Sequence, residues 1–95
     1  METKTIIETT TQVIKENGIY DITVVNTDNV ITEIKAVVTA QLRQSDGVGG
    51  YILSAQMGTI TQSDKGITID GTIPSDVLPN IISEFSEIIS EIKNN

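Results

Sequence analysis

The sequence contains neither cysteine nor histidine. Without cysteine, the chain can form neither a disulfide framework nor a thiolate metal site. Without histidine, it lacks the usual general base at neutral pH, the usual zinc ligand and every Ser-His or Cys-His nucleophile pair. An enzyme would depend on carboxylates, lysine or tyrosine alone, so we predict a nonenzymatic protein with no catalytic residue, no cofactor and no metal.

Positive charge is also scarce, because six Lys and Arg residues stand against 13 Asp and Glu residues and leave a net charge of −7 at pH 7. A field of that sign repels phosphate backbones and anionic lipid headgroups. The charge predicts solubility, and an acidic surface that meets a basic partner or mimics nucleic acid is the alternative. We therefore expect a protein partner or a second copy of the chain rather than nucleic acid.

Long apolar runs are missing as well. No stretch approaches the ~20 apolar residues that span a bilayer, and residues 1–5 lack the build of a signal peptide, so we expect no membrane partner and a cytoplasmic location. With no linker or repeat, residues 1–95 predict a single domain. A chain this short hides only about 60–65% of the surface that its unfolded form exposes, so its stability is marginal unless a second copy adds burial.

The chain does contain a strongly amphipathic C-terminal segment. Its apolar residues recur at the i, i+3, i+4, i+7 spacing of a helix and are Val77, Leu78, Ile81, Ile82, Phe85, Ile88, Ile89 and Ile92. The spacing predicts a helix over about residues 75–93, either capped by Ser75 or beginning at Pro79 after a short turn. On the other side, Glu84, Glu87 and Glu91 form a ridge that we interpret as solvent-facing charge.

Upstream, segments rich in Thr, Val and Ile alternate at period two between turn signals. They predict five strands at about residues 4–16, 19–26, 30–44, 51–63 and 67–73. Turn length sets the strand register, and we predict a two-residue turn at 17–18 and three-residue turns at 27–29 and 64–66. The predicted pairs are Val13 with Ile22 and Thr11 with Val24, Ile22 with Ile34 and Tyr20 with Ala36, and Thr61 with Ile69 and Met57 with Ile73.

In that register one sheet face is apolar, and only the C-terminal helix is long enough to cover it. The predicted fold is therefore α+β, a five-stranded antiparallel β-meander followed by one C-terminal amphipathic helix packed on one sheet face. We expect five residues of this face to be buried and their neighbours in sequence to point away from the helix. The buried five are Ile22, Ile34, Val38, Leu53 and Ile69, and the neighbours are Thr23, Lys35, Thr39, Ser54 and Asp70.

The opposite face is mostly polar, with Asp21 opposite Lys35 as a cross-strand pair of opposite charge. Its interspersed aliphatic residues are Val25, Ile31, Val37, Ile52 and Ile60. A solvated sheet face is the preferred interpretation, and a docking surface is the alternative because five aliphatic side chains are more than solvation requires. The candidate partner-binding residues on this face are Val25, Ile31, Lys35, Val37, Thr39, Gln41, Arg43, Ser54 and Gln56.

Other patterns carry no ligand chemistry. The glycine-rich stretch 47–50 joins two predicted strands and is followed by no Gly-Lys-Ser/Thr, so we interpret it as a hairpin tip rather than a phosphate loop. Asp64, Asp70 and Asp76 fall on a turn, a strand and a helix start, and their spacing is not that of a calcium loop. We interpret Asp76 as a first-turn acid that complements the helix dipole.

Residues 65–69, Lys-Gly-Ile-Thr-Ile, followed by an amphipathic helix, resemble the end of the single-stranded-DNA-binding transcriptional coactivator family. The resemblance implies curved antiparallel sheets, each followed by a helix that dimerises, and bases gripped by basic and aromatic side chains. In this chain such binding would use Lys35, Arg43, Tyr51 and the Thr and Gln residues of the sheet face. The chain has only two Tyr and one Phe as aromatic residues, which disfavours this activity.

The sequence thus favours a small, acidic, soluble, nonenzymatic protein that acts through oligomerisation and protein–protein contacts. The alternative is a single-stranded nucleic-acid-binding module. We expect a homo-oligomer because one helix about 10 Å wide cannot cover five strands about 4.8 Å apart, and because the first strand is a long edge with little charge. A sheet curled toward a closed barrel is the other solution.

Overall fold

The computed structural model describes residues 3–44 and 51–94, with side chains described at 3–40 and 56–94. Five antiparallel strands form one open sheet in the order β1-β2-β3-β4-β5, and a helix follows. The predicted α+β meander with a C-terminal helix is therefore confirmed. The elements are β1 (Ile6–Ile14), β2 (Gly18–Thr27), β3 (Val30–Gln44), β4 (Tyr51–Ser63), β5 (Gly66–Gly71) and α1 (Leu78–Lys93). Among the described residues, no helix combines the length and the apolar character that crossing a membrane requires.

The β1–β2 turn is longer than predicted. Residues 15–17 connect the two strands, and the Lys15 N–H donates to the carbonyl oxygen of Gly18, the first residue of β2, at 2.9 Å. A type I′ turn needs positive φ at both central residues, and neither Asn17 nor Gly18 has one. The register consequently differs by two residues from the prediction, with Val13 opposite Tyr20. A shift of two leaves every side chain on its predicted face.

The β2–β3 turn is a type I′ turn at Asp28 and Asn29, which have φ of 52° and 69°. The predicted three-residue loop is therefore wrong. A two-residue loop alone would set Ile22 opposite Lys35 and reverse the faces of β3. A β-bulge next to the turn, between Val25 and Asn26, adds a residue on β3 and restores the alternation. Ile22 therefore pairs with Ala36.

A second bulge interrupts the β3–β4 ladder, where Val38 pairs with Gly58 and Thr39 pairs with Gln56. Beyond it, Ile60 pairs with Ala36 and is fully buried, so its predicted place on the polar face is wrong. The β4–β5 turn has two residues rather than three, which sets Ile69 opposite Ile60 instead of Thr61. The bulge moves Ile60 to the helix side, and the shorter turn pairs Ile69 with Ile60. Ile69 therefore remains on the helix side of the sheet, as predicted.

The core lies between α1 and the middle of the sheet. Its buried residues come from β2, β3, β4 and α1 and are Tyr20, Ile22, Val24, Ile34, Ala36, Val38, Ile60, Ile81, Phe85, Ile88 and Ile89. The predicted burial of Ile22, Ile34 and Val38 is confirmed, whereas Ile69 is 40% exposed and its predicted burial is wrong. The predictions for Leu53 and Ser54 fall outside the described side chains, and residues 45–50 lie outside the described residues altogether.

The helix begins at Leu78 and carries Pro79 in its first turn, so the later of the two predicted starts is the better one. A short turn precedes it, in which the Val77 and Leu78 N–H groups both donate to the Pro74 carbonyl oxygen. No side chain caps this end. Asp76 lies before the helix rather than in its first turn, so its predicted role as a dipole-complementing acid is wrong.

Candidate functional site

The predicted partner-binding residues lie only in part on one surface. We call the sheet side away from α1 the outer face. Lys35, Val37 and Thr39 on β3 alternate with the buried Ala36 and Val38, so they lie on this outer face. Val25 and Gln56 join them through their pairing with Glu33 and Thr39.

Ile31 does not belong to this surface. The bulge after the β2–β3 turn moves it to the helix side, where it packs against the core as a partly buried residue. The docking surface therefore loses two of its predicted aliphatic residues, Ile31 and Ile60. For Gln41, Arg43 and Ser54 only the backbone is described, with Gln41 paired to Ser54 and Arg43 to Ile52.

A row of similar side chains crosses the outer face from edge to edge. Consecutive cross-strand pairs place one residue of each strand side by side, in the order Thr10, Thr23, Lys35, Thr61 and Thr68. Threonine pairs of this kind stabilise neighbouring strands by about 0.2–1 kcal/mol each. The row is polar and carries one positive charge, as expected for the mostly polar face that the sequence predicts.

Both edges of the sheet expose large aliphatic side chains. On β5, Ile67 and Ile69 are 50% and 40% exposed although they face the helix side. On β1, Ile6, Ile7 and Ile14 are more exposed still. On the helix side, α1 packs over the central strands and leaves Ile7, Ile67 and Ile69 uncovered, whereas Ile6 and Ile14 lie on the outer face. The sheet therefore keeps apolar surface at both edges.

A buried carboxylate joins α1 to the β1–β2 turn. Glu84 is only 8% exposed and accepts hydrogen bonds from the Tyr20 hydroxyl at 2.6 Å and from the Asn17 backbone and side-chain N–H groups at 3.1 Å each. Burial raises the pKa of Tyr20 well above its ordinary value, and its bond to Glu84 raises that pKa further. The Tyr20 hydroxyl is therefore held as a protonated donor to the carboxylate.

Two ion pairs extend this contact. The Lys15 Nζ lies 3.4 Å from carboxylate oxygens of both Glu87 and Glu91, one and two turns along α1 from Glu84. Desolvation alone lowers the pKa of Lys15, but its hydrogen bonds and its attraction to the two carboxylates outweigh that effect and raise the pKa. The acidic ridge of α1 thus fastens the turn to the helix.

Sequence reasoning missed the burial of Glu84, which was predicted to face solvent. Two signals point to it in retrospect. Glu84 lies one turn from both Ile81 and Ile88, at the border of the apolar stripe, and Tyr20 on the helix side of β2 needs a partner for its hydroxyl. Since its three donors occupy it and the core encloses it, this carboxylate holds the fold together rather than meeting a substrate.

A cleft of about 380 Å³ lies where the β2–β3 and β4–β5 turns approach the end of α1. Its charged lining residues are Glu33, Asp64 and Lys93. This volume is near the lower end of the range for small-molecule sites. A binding site also needs a few convergent polar groups that fix the ligand. Among the described residues, no group of three or more acidic side chains is arranged to hold a metal ion.

The alternative function requires aromatic side chains on an accessible face. Tyr20 and Phe85 are both fully buried, so neither is available to stack on a base. Comparisons with protein-family models, with curated proteins and with solved structures found no match to this chain.

Proposed function

We propose that the protein is a small, acidic, nonenzymatic protein that acts through oligomerisation and protein–protein contacts. The observation that carries this proposal is the apolar surface exposed at both edges of an open sheet, with Ile6, Ile7 and Ile14 on β1 and Ile67 and Ile69 on β5. Fully burying one such side chain is worth about 1.5–3 kcal/mol. Because these side chains are 40–65% exposed, a second molecule that covers one edge would gain the still-exposed part of that free energy from each side chain.

The arrangement of the strands supports a partner rather than a closed barrel. The strand order runs from β1 to β5, and these two strands remain the edges of the described sheet. Curling into a barrel would pair them with one another and bury their edges. Contact with another molecule is the remaining way to cover them.

The chemistry of the buried groups supports a nonenzymatic role. A general base must reach the proton that it abstracts. Glu84 instead accepts three hydrogen bonds inside the protein, and Tyr20 is fully buried beneath it. Both groups therefore serve the packing of α1 on the sheet. The cytoplasmic location that the sequence predicts remains a prediction.

Sedimentation equilibrium from low to high micromolar concentration tests this proposal. We expect a mass of at least twice the 10.3 kDa of one chain, with a concentration dependence that yields a dissociation constant. A monomer mass throughout that range would contradict the oligomer. In that case the exposed edges would have to serve a different protein.

A further inference from the structure

The free edge of β1 presents a regular row of backbone groups. Near its two ends, the Asp28 N–H donates to the Thr5 carbonyl oxygen and the Lys15 N–H donates to the Gly18 carbonyl oxygen. In an antiparallel pair the bonded positions alternate, so the odd-numbered residues of β1 bond to β2. The even-numbered residues therefore direct their N–H and C=O groups away from the sheet, and these are Ile6, Glu8, Thr10, Gln12 and Ile14.

This edge lacks the devices that normally protect an edge strand. Such strands are usually short, charged, bulged or interrupted by proline. β1 has nine residues, all exposed except the partly buried Val13, and its ladder with β2 contains no bulge. Glu8 is the one charged residue within it. By contrast, β5 has six residues, ends in Gly71 and contains Asp70.

The sequence of β1 reads nearly the same in both directions. It is Ile-Ile-Glu-Thr-Thr-Thr-Gln-Val-Ile, centred on Thr10. When two copies pair antiparallel about that centre, every residue meets one of matching chemistry. The pairs are Ile6 with Ile14, Ile7 with Val13, Glu8 with Gln12, Thr9 with Thr11, and Thr10 with Thr10.

This register is compatible with the hydrogen-bond pattern of the outward-facing backbone groups of β1. Pairing about Thr10 sets even-numbered residues against even-numbered residues, so each outward N–H and C=O finds a partner and each such pair exchanges two bonds. A centre between two residues would oppose outward and inward groups. A centre at Thr11 keeps the bonds but sets Glu8 against Ile14, and a centre at Thr9 leaves Ile14 beyond the strand of the other copy.

We propose that two copies of the chain associate through β1, antiparallel and related by a twofold axis at Thr10, to form one continuous sheet. This inference rests on the proposed function and names the partner and the surface. The twofold axis stands perpendicular to the sheet, so both helices lie on the same side. On the other side the Thr and Lys row of each copy meets that of its mate at Thr10.

Single cysteines test the register, because the wild-type chain contains none. In a bonded antiparallel pair the Cα atoms lie about 5.5 Å apart, within disulfide range. Thr10→Cys should therefore form a covalent dimer on mild oxidation. Glu8→Cys and Gln12→Cys should each stay uncrosslinked alone and crosslink when mixed. Thr68→Cys is the matched control, an exposed outer-face threonine on the other edge strand, and should not crosslink.

A positive charge introduced at the twofold axis tests how much the dimer's stability depends on this contact. Thr10→Lys places two ammonium groups opposite each other in the dimer, whereas in the monomer residue 10 is exposed and its cross-strand neighbour is the uncharged Thr23, so the dimer should weaken about tenfold or more. Thr68→Lys makes the same change at the other edge and should leave the dissociation constant unchanged. Circular dichroism and amide NMR spectra show whether each variant keeps the monomer fold.

The outcomes separate the two proposals. A wild-type dimer that survives Thr10→Lys and gives no Thr10→Cys crosslink overturns the β1 pairing and leaves the proposed function standing. A crosslink between Thr10→Cys and Thr68→Cys chains would indicate β1-to-β5 contact, which extends into filaments, and also overturns it. A wild-type chain that is monomeric at high micromolar concentration overturns both the β1 pairing and the oligomer in the proposed function.

Discussion

At the residue scale, Tyr20 and Glu84 show how this small core accommodates polar atoms. The hydroxyl of a buried tyrosine needs a partner, and a buried carboxylate needs several donors. Each group supplies what the other lacks, and Asn17 supplies the remaining donors. The pair fixes where along β2 the helix docks, because a slide of one turn would leave both groups without partners.

Tyr20→Phe tests this contact. Removing the hydroxyl takes one donor from a buried charged acceptor, which should cost about 1.5–3 kcal/mol in the free energy of unfolding. Urea titration at fixed protein concentration measures it, since oligomers change stability with concentration. Ser90→Ala on the exposed side of α1 is the control and should stay within about 0.5 kcal/mol. An equally small effect for Tyr20→Phe would mean that the 2.6 Å bond contributes nothing.

The same tyrosine predicts a loss of stability in alkali. The pKa of Tyr20 is raised in the folded protein from an ordinary value of 10.0. Its contribution is therefore complete below about pH 10 and declines above it, because the unfolded chain releases the proton while the folded chain retains it. Unfolding free energies measured from pH 8 to 11 should fall less steeply for Tyr20→Phe than for the wild type. Parallel curves would show that the folded state does not hold this proton.

Gly58 tests the close approach of β4 and β5. A Cβ there would lie 2.2 Å from the Asp70 carbonyl oxygen, whereas a Cβ at Gly18 would lie 3.3 Å from its nearest atom. Backbone must move to admit the first substitution, so Gly58→Ala should cost about 1–3 kcal/mol and more than Gly18→Ala. Thermal unfolding of both variants gives the ranking. A reversed order would mean that β5 withdraws from β4 at little cost.

At the element scale, the periodic patterns predicted the strands, the helix and most of the faces. Buried residues alternate with less buried ones from Ile19 to Val25 and from Ile34 to Ala40, as the sequence pattern predicts. A turn that shifted the register by one residue would expose this core face. Turn geometry was less predictable. The sequence favoured Asn17-Gly18 as the type I′ turn, but Asn17 is engaged by Glu84 and Asp28-Asn29 adopts that turn instead.

Bulges account for the residues assigned to the wrong face. An inserted residue reverses the faces beyond it, and nothing in the alternation of β3 or β4 announces one. Ile31 and Ile60 were therefore placed with the polar residues, although both contact the core. The aliphatic excess that suggested a docking surface arose partly from this error. Burial argues against that placement, because so small a domain needs the apolar area that two solvent-facing isoleucines would leave exposed.

The docking of α1 predicts a large effect at Phe85, which is fully buried. Phe85→Ala should lower the free energy of unfolding by about 3–5 kcal/mol, because a cavity replaces an aromatic ring. The total for such a domain is about 5–10 kcal/mol, so the melting temperature should fall severely. Ser86→Ala, next to it and exposed, should leave the stability within about 0.5 kcal/mol. A loss below about 1 kcal/mol at Phe85 would contradict the docking.

At the scale of the whole molecule, association must work against charge. Each copy carries −7, so two copies repel one another over the Debye length. β1 suits this situation because Glu8 would face Gln12 of the other copy rather than a second carboxylate. Backbone hydrogen bonds and aliphatic contact would hold the dimer together, and neither depends strongly on salt.

Salt should therefore tighten the dimer. The Debye length falls from about 30 Å at 0.01 M to about 10 Å at 0.1 M, which screens the repulsion between the copies and leaves the strand contact intact. Sedimentation equilibrium across this range should give a dissociation constant that decreases as salt rises. Ser86→Lys on the exposed side of α1 adds one positive charge to each copy, which reduces the magnitude of its net charge of −7, and should tighten the dimer at low salt but not at high salt. A dissociation constant that increases with salt would show instead that pairs of opposite charge hold the copies together, which the β1 register does not provide.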